Sequence, residues 1–357
     1  VSDSSSIEWT DATWPVVAGC DHTSPGCDNC YAARLTGGRL KHLPAYAGLA
    51  ERGRFNGQIR ILEDRLTWPL RWRKPRKIFV SDMADLFHDK VSVSFIADVF
   101  AVMALTPQHT YQVLTKRHGR MRSLLNTPEF WYQVGHQARH LGYTYESGAN
   151  HLGDGRNIYD TAVWTTLRYL PNVWLGCSVE DQKWADIRIP ALLETPASVR
   201  FISAEPLLGP VRLGKWLGPR CRASRAQAET EFLDWVIAGG ESGPGARPMH
   251  PAWARSLRDQ CTAAGVPYFF KQWGEYGLLP KVGPDGAWSN DPGVTVANDG
   301  TVYQPGDLAF PDGPRWGEAI RAGHQRARLH AMYRVGKKAA GRTLDGQTWD
   351  QYPAVTP

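Results

Sequence analysis

The chain has 357 residues, 42% of them hydrophobic and 21% charged, with 15 Trp and a formal net charge of +6. That composition excludes a globally disordered chain, and no apolar run reaches the roughly 18 residues of a membrane-spanning helix. The basic balance permits an anionic partner without demanding one, and the many aromatic rings can fill a core or stack on bases.

The N-terminal VSDSSSIEWTDATW lacks a basic segment followed by an apolar block, so no secretory signal and a cytoplasmic location are expected. Seven short apolar runs organise the rest of the chain. TWPVVAG (13–19) leads into a cysteine cluster, and KIFVSD (77–82), TYQVLTK (110–116) and NVWLGCSVE (172–180) come next. VRFISAE (199–205), DWVIAGGES (234–242) and VPYFFKQW (266–273) complete the series. Each is nearly continuously apolar, as parallel strands covered on both faces are. Amphipathic stretches lie between them. Residues 93–105 repeat apolar positions at helical spacing, and 251–264 begins with Pro251 and stops at Gly265. Repeated strand–helix units imply right-handed crossovers, and so an α/β fold built as a partial or complete (β/α) barrel with parallel strands. Residues 136–168, rich in Gly, Tyr and His, read as an insertion; 277–314 reads as a loop or a small β excursion. The expected organisation is a barrel over 1–276 with a three-Cys loop at 20–30. Residues 277–357 then supply a loop excursion and a basic helical segment packed on the barrel.

Six of the seven runs end in polar residues: Ser81-Asp82, Lys116-Arg117, Ser178 with Glu180, Ser203 with Glu205, Glu241-Ser242 and Lys271-Gln272. Polar residues commonly punctuate strands. In a barrel, however, all C-terminal strand ends share one face, where chemistry sits, and six in series beside the cysteine loop favour a site.

Cysteines stand at 20, 27, 30, 177, 221 and 261, and the first three are spaced C-x6-C-x2-C. This is too sparse for a secreted disulfide framework. The two-residue spacer lets Cys27 and Cys30 face one metal, and Pro25-Gly26 lets the chain reverse so that Cys20 joins them. Structural zinc wants a fourth ligand; the candidates are His22, Asp28 and Cys177, and His22 follows Cys20 too closely to chelate the same ion. An iron–sulfur cube usually takes four thiolates, so three leave one iron open. Zinc, a cluster and unliganded thiols all remain on the residues alone, with a cluster favoured by ligand count and softness.

Positive charge is clustered. RLTWPLRWRKPRK (65–77) holds six Lys/Arg, no acids, and Trp68 and Trp72; residues 321–342 hold seven Lys/Arg and no acids. Such stretches attract phosphates through counterion release, so nucleic acid is the expected partner. A non-catalytic, metal-stapled nucleic-acid-binding protein would use the same features. A barrel hydrolase using Asp82, Glu180, Glu205 and Glu241 with a divalent metal leaves the cysteines unexplained.

IEWTDATWPVVAGCDHTSPGCDNCYAARL, IFVSDMADLFHDKV, WLGCSVEDQ, RFISAEPLLGPV, WVIAGGESGPGARPMHPAW and YFFKQWGEY together resemble a phage-associated three-Cys-motif family of unknown function. The resemblance runs from residue 7 to about 276 and resumes over RVGKKAAGRTLDGQTWDQYP (334–353). More distantly, this family is similar to radical S-adenosylmethionine (SAM) enzymes of the spore photoproduct lyase kind. The resemblance implies a [4Fe-4S] cluster on Cys20, Cys27 and Cys30, with SAM on the open iron and a 5′-deoxyadenosyl radical acting on nucleic acid or a nucleotide. It also implies an electron donor such as flavodoxin or ferredoxin, leaves room for a partner protein, and involves no membrane. Position assigns Tyr31 to the cofactor pocket, Asp82 to the SAM amine, and Lys116 or Arg117 to the SAM carboxylate. Ser178 and Glu180 fall to the ribose hydroxyls; Lys116, Glu205, Glu241 and Lys271 fall to substrate or proton transfer. Cys177 is either a hydrogen donor or a small buried residue. The sequence departs from the usual C-x3-C-x2-C spacing. It has Asn29 where an aromatic normally precedes the third Cys, and it lacks Gly-Gly-Glu after the second strand. Gly239-Gly240-Glu241 occurs in the sixth run, so the amine role is not carried onto Glu241.

Overall fold

The computed structural model describes residues 5–145, 151–218, 231–279, 293–304, 307 and 328–354. All seven apolar runs contain strands: β1 (Ala12–Trp14), β2 (Lys77–Val80), β3 (Thr110–Thr115), β4 (Val173–Ser178), β5 (Val199–Ala204), β6 (Trp235–Gly239) and β7 (Tyr268–Gln272). They form one parallel sheet whose spatial order is the chain order. Each crossover therefore steps one strand in the same direction. Right-handed crossovers then put the helices on one face, and the other face can be covered only if the sheet curls inward. The first and last strands are the two ends of the sheet, so the architecture is a half-barrel, the partial form of the expected fold.

The first run is cut short by Pro15, which has no N–H for a ladder. Val17–Ala18 turns away and pairs antiparallel with Arg60–Ile61, carrying the chain out toward the cysteine loop.

Strand alternation sorts the core into two parts. Ile78, Val80, Val113, Leu175, Ile202 and Val236 face the helices, while Phe79, Trp174, Phe201, Trp235, Ile237 and Phe269 fill the concave side with Trp9. Around Trp235 the rings of Trp174, Phe201, Phe269 and Tyr352 stand with centroids 5.2–6.0 Å away. Each buried ring withdraws roughly 150–250 Å² from water.

The outer layer comprises α1 (Tyr31–Gly37), α2 (Val93–Ala104), α3 (His118–Leu125), α4 (Pro128–Tyr145), α5 (Thr161–Thr166), α6 (Gln182–Leu193) and α7 (Pro251–Ala264). Their starts follow local chemistry. Ser92 accepts the Phe95 N–H at the head of α2, and Asp181 accepts the Trp184 N–H at the head of α6. The α7 helix has Pro251 in its first turn and ends at Gly265 with φ 69°. The stretch 136–168 begins inside α4 and includes α5. Phe130 and Trp131 of α4 pack edge-on against Phe100 of α2.

The C-terminal region differs from its reading as a helical segment. β8 (Tyr276–Gly277), β9 (Val294–Ala297), β10 (Val302–Tyr303) and β11 (Leu329–Arg334) form an antiparallel sheet in the order β8-β11-β9-β10. Pairing of β11 with β9 overrides helix propensity there, and only Lys337–Ala340 is helical. Residues 321–327 of the basic stretch lie outside the described residues. The tail then runs beside β7: Phe270 donates to the Trp349 carbonyl at 2.9 Å and Trp273 to the Gly341 carbonyl at 3.1 Å. It thereby covers an edge that would otherwise present unpaired backbone groups. Among the described residues no helix is long and apolar enough to cross a membrane.

Candidate active site at the mouth of the half-barrel

The alternation that points Leu114, Trp174, Phe201 and Phe269 inward also places Lys116, Ser178, Glu205 and Lys271 on the concave face. There they border two adjoining cavities of about 240 and 490 Å³. Cys30, Tyr31, Phe79, Asp82, Lys116 and Ser178 line both.

Cys20, Cys27 and Cys30 all line the smaller cavity, and all three are free thiols. Among the described residues no group of three or more His, Cys, Asp and Glu could hold a metal ion. The zinc tetrahedron is thus not assembled: His22 is engaged with Asp28 at 2.7 Å, and Cys177 packs on the helix side of the sheet. Burial pushes the Cys177 thiol up to about 12, and it lines neither cavity. Soft sulfur donors spread around an open volume suit a multi-iron cluster better than a single ion.

The cysteine loop is clamped from three sides. Ser24 Oγ donates to Glu180 Oε1 at 2.6 Å, and Arg188 holds the other oxygen at 2.8 Å, with Glu180 and Arg188 both fully buried. Gly26 is required by close approach, since a Cβ there would stand 2.5 Å from Glu180 Oε1. On the second side Arg247 forks onto Glu241 at 2.7 and 2.9 Å, and reaches Asp28 at 3.0 Å and the Pro25 carbonyl at 2.7 Å. Asn29 donates to the same Glu241 at 3.0 Å. On the third side Arg117 pairs with Asp21 and with Asp89. Glu180, Glu241 and Arg117, expected to touch cofactor or substrate, are therefore committed to holding the loop.

The remaining expected residues form the cavity walls. Lys116 Nζ donates to Ser178 Oγ at 3.3 Å. Burial works against its charge, but Cys27 and Glu180 outweigh that and raise its pKa. Its backbone N–H is fixed by Asp85, which also accepts from Thr115. Burial pushes the Asp82 carboxyl up to about 6, and its Oδ1 has no hydrogen-bond partner. Ser81, just before it, adopts the left-handed region at φ 56°, a conformation disfavoured for a residue with a Cβ. Tyr31 donates its hydroxyl to the Asp82 carbonyl at 2.8 Å. Glu205 accepts twice from Lys271, at 2.8 and 2.9 Å, and once from Gln272 at 3.1 Å.

The sequence matches, over residues 4–353, the family described as a protein of unknown function, DUF5131. The chain belongs to that family. No curated protein matches it. Among solved structures a cysteine-to-serine mutant of spore photoproduct lyase is similar at 13% identity and a TM-score of 0.36. That likeness covers 73% of this chain, which spans 62% of the other protein's length.

Sequence reasoning passed over Arg247, Asn29, Ser24 and Asp85 in this DUF5131 chain. Arg247 sits in a Gly- and Pro-rich loop, where a lone cation carries no local signal, and its acids Asp28 and Glu241 lie on different elements. The basic stretch 65–77 is not at the mouth. The Arg76 carbonyl accepts from Thr110 at the start of β3, and Trp72 packs edge-on against His109. The stretch thus lies at the opposite end of the strands. Its tryptophans serve the fold: Arg65 stacks on Trp68 and Arg76 on Trp72. No described Trp is exposed.

Proposed function

We propose that this chain is a radical SAM-like iron–sulfur enzyme acting on a nucleic acid or nucleotide. The observation that carries the reading is three free cysteines lining one cavity at the C-terminal mouth of a parallel half-barrel. Beside them stand Lys116 and the partnerless oxygen of Asp82. Cys20, Cys27 and Cys30 would hold a [4Fe-4S] cluster with an iron open to SAM. Together those cofactors supply a reductively generated 5′-deoxyadenosyl radical, able to abstract hydrogen from unactivated carbon.

The chain's own residues bind, orient and shield. A buried carboxyl with an unused oxygen is satisfied by a cation, so Asp82 takes the SAM ammonium. Lys116 stays charged and takes the carboxylate, and the Ser178 hydroxyl takes a ribose oxygen. Tyr31, tied to the Asp82 backbone, closes the wall beside Cys30. Glu205 and Lys271 face the substrate side, while Glu180, Glu241 and Arg117 fix the loop that carries the thiolates. Electrons come from a small donor protein such as flavodoxin or ferredoxin in a reducing cytoplasm.

Protein purified without oxygen should be brown, with about four iron and four sulfide per chain and broad absorption near ~400 nm. Reduced protein should convert SAM to 5′-deoxyadenosine, and Cys27→Ala should lose both colour and cleavage. A colourless zinc-loaded wild type, or a Cys27→Ala protein that still cleaves SAM reductively, overturns the proposal.

A further inference from the structure

Three lysines reach the wall of the larger cavity, and each has a carboxylate of its own. Lys116 lies 3.9 Å from Glu180, Lys271 2.8 Å from Glu205, and Lys337 3.2 Å from Glu8. A phosphate entering the cavity would meet ammonium groups that are already neutralised, with Asp82 adding negative charge to the same wall.

What the wall leaves unsatisfied is uncharged. The Gln272 Oε1 acceptor and the Trp9 Nε1–H donor are buried without a hydrogen-bond partner among the described residues. Both residues line this cavity, at 5% and 2% exposure. The amide orientation of Gln272 is fixed chemically. Its nitrogen lies 3.1 Å from Glu205 Oε1, and an ionised carboxylate can only accept, so the oxygen is the end left over. Trp9 is held in place by Phe79, 4.8 Å away between ring centroids, and by Trp235 at 6.2 Å. Phe79 and Leu114 give the same cavity apolar, partly aromatic walls. Its volume of about 490 Å³ falls within the roughly 300–1,000 Å³ of small-molecule sites.

We infer that the larger cavity receives an uncharged planar group presenting a hydrogen-bond donor and an acceptor, a nucleobase or nucleoside, while phosphate stays outside. A ligand with that complementary pair satisfies two buried groups that are otherwise left unmade. This deepens the proposed function by naming its substrate class, and it rests on that reading for the chemistry performed there. The base comes either from a free nucleoside or from a strand that extrudes it.

The test is equilibrium dialysis of the full-length chain, wild type and Cys27→Ala, against guanosine, cytidine and uridine and against their 5′-monophosphates. Adenosine is left out because SAM carries it. At least one nucleoside should bind both proteins, and its monophosphate should bind about tenfold more weakly or worse. Trp9→Phe keeps the ring and removes the N–H, and should weaken nucleoside binding about three- to tenfold. Gln272→Ala should weaken it at least as much. A short single-stranded oligonucleotide that displaces the nucleoside identifies a strand as the source; one that does not identifies the free nucleoside. Monophosphates binding as tightly as nucleosides, Trp9→Phe without effect, or no nucleoside bound at all would each overturn the inference. Because Cys27→Ala carries no cluster, the outcomes separate. Nucleoside binding without iron in the wild type refutes the cluster alone, and iron without nucleoside binding refutes the nucleobase site alone.

Discussion

At Asp82 the cavity wall holds a carboxyl that burial pushes from 3.8 up to about 6, opposed only in part by its own backbone hydrogen bond and by Arg65. The native state therefore keeps a proton that the unfolded chain releases near pH 4. Between about pH 4 and pH 6 the native state binds more protons, so stability falls as pH rises through that window. Asp82→Asn removes the ionisation and keeps the shape. Urea midpoints of metal-free protein should coincide with wild type at pH 4. At pH 7 the variant should gain about 1–2 kcal/mol, allowing for screening at a partly exposed site. Parallel pH profiles would show that Asp82 is ionised at no cost. Asp82 was readable from the sequence as an acid closing an apolar run. Glu180 and Glu241 were readable on the same grounds, yet their roles were not. Arg188 and Arg247 neutralise them through three-dimensional contacts that no spacing rule announces, so strand-end position identified the face and not each residue's task.

The cysteine loop is the element on which the site depends, and little of its order is intrinsic. Pro25–Cys27 forms a single 3-10 turn, and the loop's fixed geometry comes from Glu180, Arg117 and Arg247 outside it. Arg247→Met leaves the buried Glu241 with Asn29 and a backbone N–H but no counter-cation. We expect a loss of about 1–3 kcal/mol. Faster hydrogen exchange should appear over residues 20–30, and less iron should be retained after gel filtration. Full iron retention with unchanged exchange would remove Arg247 from the clamp. The barrel strands were legible because parallel strands buried on both faces write themselves as unbroken apolar runs. β8 to β11 were not, because they are short strands set among Gly, Pro and polar residues. Arg334, Lys337 and Arg342 looked like a basic helix while their partners Glu275, Glu8 and Asp350 lay elsewhere in the chain.

Across the whole molecule, cavity and exposed positive charge occupy opposite ends. The thiols, Lys116 and Lys271 gather where the strands finish, whereas Arg71, Arg73 and Lys74 are exposed near where β2 and β3 begin. Tyr352 closes that lower end, with its ring 4.2 Å from Lys77 Nζ and packed on Trp235 and Phe269. A strand gripped at the base is therefore separated from the mouth by the filled interior of the half-barrel, and phosphate affinity and chemistry become independent properties. Replacing Arg71, Arg73 and Lys74 together by Ala should weaken binding to single-stranded DNA. The slope of log affinity against log salt should flatten by about two units, at roughly 0.7 for each phosphate no longer neutralised. SAM cleavage and nucleoside binding at the mouth should not change. Unaltered DNA affinity would dismiss the base as a nucleic-acid surface. Loss of nucleoside binding in the triple variant would mean that the two ends communicate through Trp9 and the aromatic core between them.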